Sequence, residues 1–394
     1  VKTALLGMMV AIAIIMAMVH RLAEIEHPQT TPLAGFTAPF VFGRFNVPAD
    51  NPLTEEAFAL GRRLFYDVRL SGNDEIACAT CHIQGLGFTD GKTTAVGISG
   101  KKLSFNSMSL ANLMWGSEHF FWDGRANSLE EQALIPIQDA DEMAQDLDEL
   151  VLELQVDDNY RRLFKAAYGS VSKSNIAKAL ATFERALVSA NSKYDQYLRG
   201  EVVLSDQEEL GRKLFVAHPD VKTSLRGGNC IDCHSQFLTS GFKPQYDGFS
   251  NNGLDGEDQL LPGLKAVTKD PAHRGFFKVP GLRNIAVTAP YMHDGRFNSL
   301  EAVMDHYNEG IQVSSTLSPL IMEANNIERG LGTPVSLNLA AEEKAALVAF
   351  LHTLTDEEFL TDKKFSNPFE PHLPGSEPLS PRPLAHRPSE SAPP

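Results

Sequence analysis

Through most of the chain, apolar residues recur three and four positions apart, the spacing that lines one face of a helix. Ile176, Leu180, Phe183 and Leu187 set such a face on a helix predicted from Ile176 to Tyr197, and Leu347, Phe350, Leu351 and Leu354 set another on a closing helix. Two further amphipathic helices end in nearly the same five residues, Gly61-Arg62-Arg63-Leu64-Phe65 and Gly211-Arg212-Lys213-Leu214-Phe215. The second of these opens on a capping box, Ser205-x-x-Glu208, which satisfies amides that the first helical turn leaves free. Strand-like alternation is scarce, so the expected fold is mainly α.

The ends of the chain break this pattern. Lys2 precedes an uncharged apolar run from Ala4 to Val19, followed by His20 and Arg21. The run is short for a spanning helix and fits the apolar core of a signal peptide. No clean A-x-A cleavage site follows it, so residues 1–23 are expected as a signal peptide or a membrane anchor. Residues 24–52, rich in Pro, Thr and Gly, read as a linker. Residues 363–394, dense in Pro, Ser and Glu, read as a disordered tail.

Between those ends the chain repeats itself. Trp122-Asp123-Gly124-Arg125-Ala126-Asn127-Ser128-Leu129-Glu130 is echoed by His293-Asp294-Gly295-Arg296-Phe297-Asn298-Ser299-Leu300-Glu301, and each copy lies downstream of one Gly-Arg-x-Leu-Phe helix. A unit that occurs twice implies tandem domains, here 53–200 and 201–362, joined by the helix that begins at Ile176. A length of 394 residues suits two domains, and 43% apolar with 22% charged residues describes a chain able to bury real cores. The formal net charge of −15 leaves no basic footprint for nucleic acid and favours a basic partner.

Each repeat also contains one Cys-x-x-Cys-His: Cys78-Ala79-Thr80-Cys81-His82 and Cys230-Ile231-Asp232-Cys233-His234. Together they use all four cysteines. This is the attachment motif of a c-type haem, with two thiols forming thioethers to one porphyrin and the histidine offering a neutral imidazole to the iron. A zinc site would bring its Cys pairs roughly 15–20 residues apart, and two disulfides would have no use for the histidines. Two covalent haem c groups are therefore expected, one per unit. Such attachment takes place outside the bacterial inner membrane, which agrees with an exported, periplasmic protein, tethered if the first segment is retained.

Taken together, the paired haem motifs, the D-G-R repeats and Thr288-Ala289-Pro290-Tyr291-Met292-His293-Asp294-Gly295-Arg296 resemble the bacterial di-haem cytochrome c peroxidase family, which includes the MauG enzymes. The likeness runs from about Leu53 to Leu360. It implies two tandem cytochrome c-like domains, an amino-terminal peroxidatic one and a carboxyl-terminal electron-transfer one, with a calcium ion between them. Many relatives carry a removable distal histidine in the loop after the first motif. Residues 83–118 contain no histidine, and His119 is the first. That difference implies a five-coordinate first haem, as in MauG-like members.

The resemblance also assigns roles. Glu142 would shuttle the proton that peroxide cleavage moves from one oxygen to the other, Gln132 would orient the peroxide and Pro136 would shape the pocket. Trp122 would couple the two haems, while Trp115 reads as packing. Counting fourteen residues from His293 reaches Tyr307 as the second ligand of the second haem, with Met304, His306 and Met292 as alternatives. A phenolate there would stabilise oxidised iron. Asn106 and the carbonyls of Thr288 and Pro290 correspond to calcium ligands. Arg125 and Arg296 would pair with haem propionates or with Asp123 and Asp294. Three functions compete: reduction of hydrogen peroxide with electrons from a small c-type cytochrome or copper protein, MauG-like oxidation of a partner protein's side chains, and plain di-haem electron transfer.

Overall fold

In the computed structural model, residues 30–369 are described, apart from 35, 37–38, 40–41, 44, 46, 117–118, 238–247, 329 and 331–333. The leader segment expected over residues 1–23 lies outside them. No helix among the described residues is long and apolar enough to cross a membrane.

The helices, in chain order, are α1 (Glu55–Phe65), α2 (Cys78–Cys81), α3 (Leu129–Gln138), α4 (Leu147–Val156), α5 (Asp158–Tyr168), α6 (Lys173–Ala186) and α7 (Lys193–Leu198). Then follow α8 (Asp206–Val216), α9 (Lys265–Thr268), α10 (Leu300–Asp305), α11 (Pro319–Glu323), α12 (Ala341–His352) and α13 (Glu357–Thr361). Among the described residues the sheet content is one antiparallel ribbon, β1 (Phe249–Ser250) with β2 (Phe277–Lys278).

Why the Gly-Arg-x-Leu-Phe segment appears twice is visible in the packing. Helix α1 crosses α6 at Gly61, where a Cβ would lie 1.9 Å from the Ala179 carbonyl oxygen. Helix α8 crosses α12 at Gly211, where a Cβ would lie 1.9 Å from the Ala346 carbonyl oxygen. Each glycine lets two helix backbones touch, and the Leu and Phe that follow it are buried in the same contact. Two hydrophobic cores result. One gathers α1 and α3–α6 around Phe65, Phe164 and Phe183; the other gathers α7, α8, α10 and α12 around Phe215, Phe350 and Tyr194.

The D-G-R repeat is likewise one local device used twice. Phe120 pairs with Ala126 and Tyr291 with Phe297, each closing a tight loop. Gly124 and Gly295 sit at the positive φ those loops need, +78° and +65°. Ser128 and Ser299 then cap α3 and α10 by accepting hydrogen bonds from Glu131 N and Ala302 N.

Four expectations need correction. The helix predicted from Ile176 to Tyr197 breaks after Ala186 and resumes at Lys193. Ser189 N donates to Asn112 Oδ1 at 2.9 Å and Asn191 N to Asp356 Oδ2 at 2.8 Å, while Ser192 and Asp195 form a capping box for α7. Backbone groups bonded elsewhere cannot continue a helix. Secondly, Leu354 lies just beyond α12, fully buried.

The stretch read as a linker is, thirdly, attached to the core over its described part. Thr31 donates through N and Oγ1 to Glu56, and Phe42 and Phe45 meet Trp115 edge-on at 5.0 and 5.7 Å. Finally, residues 363–369 are not free tail. Phe365 is buried in the first core, its carbonyl accepts from Tyr66 Oη at 2.8 Å, and Arg63 lies over the Phe369 ring at 4.3 Å. The remainder of the expected tail lies outside the described residues.

Candidate functional site

Both Cys-x-x-Cys-His motifs open onto one cavity of about 650 Å³ that runs between the two cores. Helix α2 is a single turn in which His82 N bonds to the Cys78 carbonyl at 3.0 Å, and the second motif is a tight turn closed by His234 N to Cys230 O at 2.9 Å. Both turns therefore set their two cysteines and histidine against the same space.

The two imidazoles are prepared alike. His82 Nδ1 donates to the Phe88 carbonyl at 2.7 Å, and His234 Nδ1 donates to the Pro280 carbonyl at 3.1 Å. With Nδ1 protonated, Nε2 keeps its lone pair, which is the form that binds iron. Burial holds both rings neutral, lowering His82 below its ordinary value and His234 to about 4.

No disulfide joins the cysteines. Burial raises the thiols, Cys81 and Cys233 to about 11, Cys230 to about 12 and Cys78 further still. Among the described residues no three His, Cys, Asp or Glu side chains converge as a metal site, which goes against the zinc alternative. The donor set, two thiols and one Nε2 imidazole on an apolar wall at each end, fits covalent haem.

The wall near the first motif carries the expected acid and its neighbours. Of the Asp139-Ala140-Asp141-Glu142 run, Asp139, Asp141 and Glu142 border the cavity, and Glu142 alone is half-buried while the other three are exposed. Its backbone is pinned where Ile98 N donates to the Glu142 carbonyl at 2.7 Å, and Gly97 packs so closely that a Cβ would meet Glu142 Cα at 2.9 Å. Burial raises the Glu142 carboxyl above its ordinary value, and Arg125 at 3.9 Å partly opposes this. Arg125 also bonds Asp123 at 2.9 Å and lies on the Phe121 ring at 3.7 Å. Arg296 likewise pairs with Asp294, and with Asp255 at 2.8 Å.

Gln132 and Pro136 lie on α3 and line the cavity, and the buried Gln132 Oε1 has no partner in the protein. Pro136 interrupts the helix hydrogen bonding, since it has no N–H to offer the Gln132 carbonyl.

His119 does not enter the cavity wall. Its carbonyl accepts from Lys278 Nζ at 2.5 Å and its ring meets Phe249 edge-on. Among the described residues the histidines of the wall are His82, His234 and His293.

Trp122 lines the same cavity. Its indole Nε1 donates to the Asn106 carbonyl at 2.8 Å, and Asn106 N donates to the His293 carbonyl at 2.8 Å, so a hydrogen-bonded chain links the loops of the two repeats. The His293 ring lies flat on Phe277 at 3.6 Å and edge-on to Trp122 at 6.5 Å. Burial lowers it to about 4. The side-chain amide of Asn106 donates to the Lys92 and Thr93 carbonyls at 2.8 and 3.3 Å. Asn106, Thr288 and Pro290 all border the cavity.

At the second motif a π-helical turn, His306–Gly310, follows α10 and turns Tyr307 into the cavity. Burial pushes its hydroxyl up to about 12, while Asn252 donates to it from Nδ2 at 3.3 Å and works in the opposite sense. Met304 and Met292 also line the cavity. His306 does not; its Nε2 donates to the Asn252 carbonyl at 3.2 Å.

Sequence reasoning missed three residues of the wall: His293 as a stacked ring, Asn252 and Glu184. Glu184 had a readable signal, since it lies four residues after Leu180 on the apolar face of α6. Asn252 had none.

The chain is similar to known proteins along most of its length. The family model described as di-haem cytochrome c peroxidase matches residues 55–203. The methylamine utilization protein MauG of Methylorubrum extorquens is 38% identical over 314 residues, 79% of this chain and 81% of that protein. The cytochrome c551 peroxidase of Pseudomonas aeruginosa is 31% identical over 347 residues, 84% and 86% of the two chains. The crystal structure of a MauG-like protein associated with microbial copper homeostasis superposes with a TM-score of 0.74 at 36% identity, covering 85% of this chain and 99% of that one. The chain is thus a member of the di-haem cytochrome c peroxidase and MauG family, oxidoreductases whose fold implies two covalently bound haem c groups.

Proposed function

We propose that this protein reduces hydrogen peroxide to two waters in the chamber around His82, taking up two protons, and two electrons from a small c-type cytochrome or copper protein. The chain is read as two tandem cytochrome c-like units, exported to the periplasm. The observation that carries the reading is the half-buried Glu142 in the cavity wall beside Gln132 and Arg125, in a wall whose histidines among the described residues are His82, His234 and His293.

The haem, when bound, supplies an iron that exchanges single electrons. Around it, the chain's own groups handle the protons. Glu142 takes a proton from the peroxide oxygen that stays and returns it to the one that leaves. Its raised affinity for protons suits that return step, and Arg125 limits the rise so that the carboxylate is still available as a base. Gln132, with its free Oε1, accepts a hydrogen bond from peroxide and orients it. Trp122 carries electrons between the two centres. Asn106 with the carbonyls of Thr288 and Pro290 would hold a calcium ion that keeps the two loops in register.

A MauG-like oxidation of a partner protein is the second reading. What favours it is Tyr307, which lines the cavity and would offer the second haem a hard ligand, together with the 38% identity to MauG. Glu142→Gln tests the chamber. Peroxide turnover should fall about 10²-fold or more with both haems retained, and unchanged turnover removes Glu142 from the chemistry. Running the same assay with and without prior half-reduction separates the readings, since reaction from the fully ferric protein supports the second.

A further inference from the structure

Two different ligand types compete at the carboxyl-terminal end of the cavity, and one side chain touches both. The Asn252 Nδ2 group donates to Tyr307 Oη at 3.3 Å and to Met292 Sδ at 3.4 Å. The same residue's carbonyl oxygen accepts from His306 Nε2 at 3.2 Å. A third neighbouring candidate is thereby held by Asn252 as well.

Asn252 is held in place by its neighbours. Asn251 is buried; its Nδ2 donates to Ser314 Oγ and Thr316 Oγ1, both at 3.0 Å, and its Oδ1 accepts from Gly253 N at 2.9 Å. Gly253 sits at φ +69°, with so little room that a Cβ would meet Ile311 Cγ2 at 2.8 Å. A rigid backbone on both sides fixes where the amide points.

We propose that Asn252 is a positioning residue that selects tyrosine over methionine at the second haem. This rests on the reading of Tyr307 as ligand. The two N–H bonds of a primary amide diverge in a fixed plane, so one group can hold an oxygen and a sulfur in set places. The thioether is a weak acceptor, and engaging its sulfur keeps that lone pair away from a metal. The phenolic oxygen is a stronger acceptor with lone pairs to spare, and an N–H bond to it becomes charge-assisted once it is ionised. The same fork thus favours the hard anionic ligand and restrains the soft neutral one, and these two set very different potentials.

The experiment compares the purified di-haem protein with Asn252→Leu and Asn252→Asp, variants of similar size that lack both donors. Near-infrared and paramagnetic resonance spectra of the oxidised protein report the ligand, and a redox titration reports the second haem. In either variant part of the second haem should acquire methionine–iron absorption. Its reduction equilibrium should shift toward the reduced form by about tenfold or more, since a neutral thioether favours reduced iron where an anionic phenolate favours oxidised iron. Adding Met292→Leu should abolish the new band. Wild-type spectra and potential in both Asn252 variants, or a change that Met292→Leu does not reverse, overturn the selection. Tyr307→Phe run in parallel separates the two failures. An unaltered spectrum there removes Tyr307 as ligand, whereas an altered one beside silent Asn252 variants removes Asn252 alone.

Discussion

A carboxylic acid buried in the wall of the first chamber makes the stability of this protein depend on pH in an unusual direction. Glu184 on α6 is fully buried, and its Oε2 has no hydrogen-bond partner in the protein. Its neighbour Arg185 is already taken, paired with Glu130 through two bonds of 2.6 and 2.8 Å. Burial therefore dominates and raises Glu184 from 4.5 to about 8, with Arg185 only partly opposing. Between those values the folded protein keeps a proton that the unfolded chain has released. Unfolding then releases a proton, so stability falls as pH rises, by roughly 1.4 kcal/mol per unit or about 4 kcal/mol between pH 5 and pH 8. Below about 4.5 the contribution is fully present, and above about 8 it has been lost. Glu184→Gln keeps the shape and removes the titration. Denaturant unfolding of the haem-loaded proteins should give similar stabilities at pH 5 and a variant more stable by several kcal/mol at pH 8. Parallel stability curves across that range would mean that Glu184 is ionised in the folded state, and the burial argument would be wrong.

Four further outcomes follow from the packing. Asp195→Ala should cost about 3–5 kcal/mol in denaturant unfolding, because Arg283 and Asp195 meet at 2.7 Å with each side chain only 3% exposed, and the arginine would be left as a buried charge. The exposed pair Lys173–Asp148, cut by Asp148→Ala, should change stability by under about 1 kcal/mol in the same assay. Gly211→Ala should destabilise by about 1–3 kcal/mol or more as its methyl meets the Ala346 carbonyl, whereas Gly85→Ala, with open space around it, serves as the near-neutral control. Phe365→Ala should cost about 3–5 kcal/mol, a value expected of a core residue and not of a tail.

The places where sequence reasoning succeeded and failed share a physical origin. Whatever depends on local covalent or hydrogen-bonded geometry was legible: the Cys-x-x-Cys-His turns, the Ser-capped D-G-R loops and the Gly-Arg-x-Leu-Phe helix crossings each appear as a short string, and each appears twice. Whatever depends on a distant partner was not. The aromatic strap on Trp115 has no period, and the α6–α7 break is made by Asn112 and Asp356, more than seventy residues away. Phe365 sits in a composition that reads as disorder, yet one phenyl ring finds the first core.

The second haem site is the sharpest case, because four candidate ligands lie within sixteen residues and counting alone cannot rank them. In a regular helix Met304 and Tyr307 share a face and His306 lies away from it. Here α10 gives way to a π turn between those positions, and such turns leave no sequence signature of their own. Tyr307 stays toward the cavity, His306 finds the Asn252 carbonyl, and the amide of Asn252 joins Tyr307 to Met292 across forty residues or more of chain. If Tyr307 is the ligand, as proposed, a residue outside every motif would choose which atom is offered to the second haem, and the ligand would be a property of the loop around Asn252 as much as of Tyr307 itself.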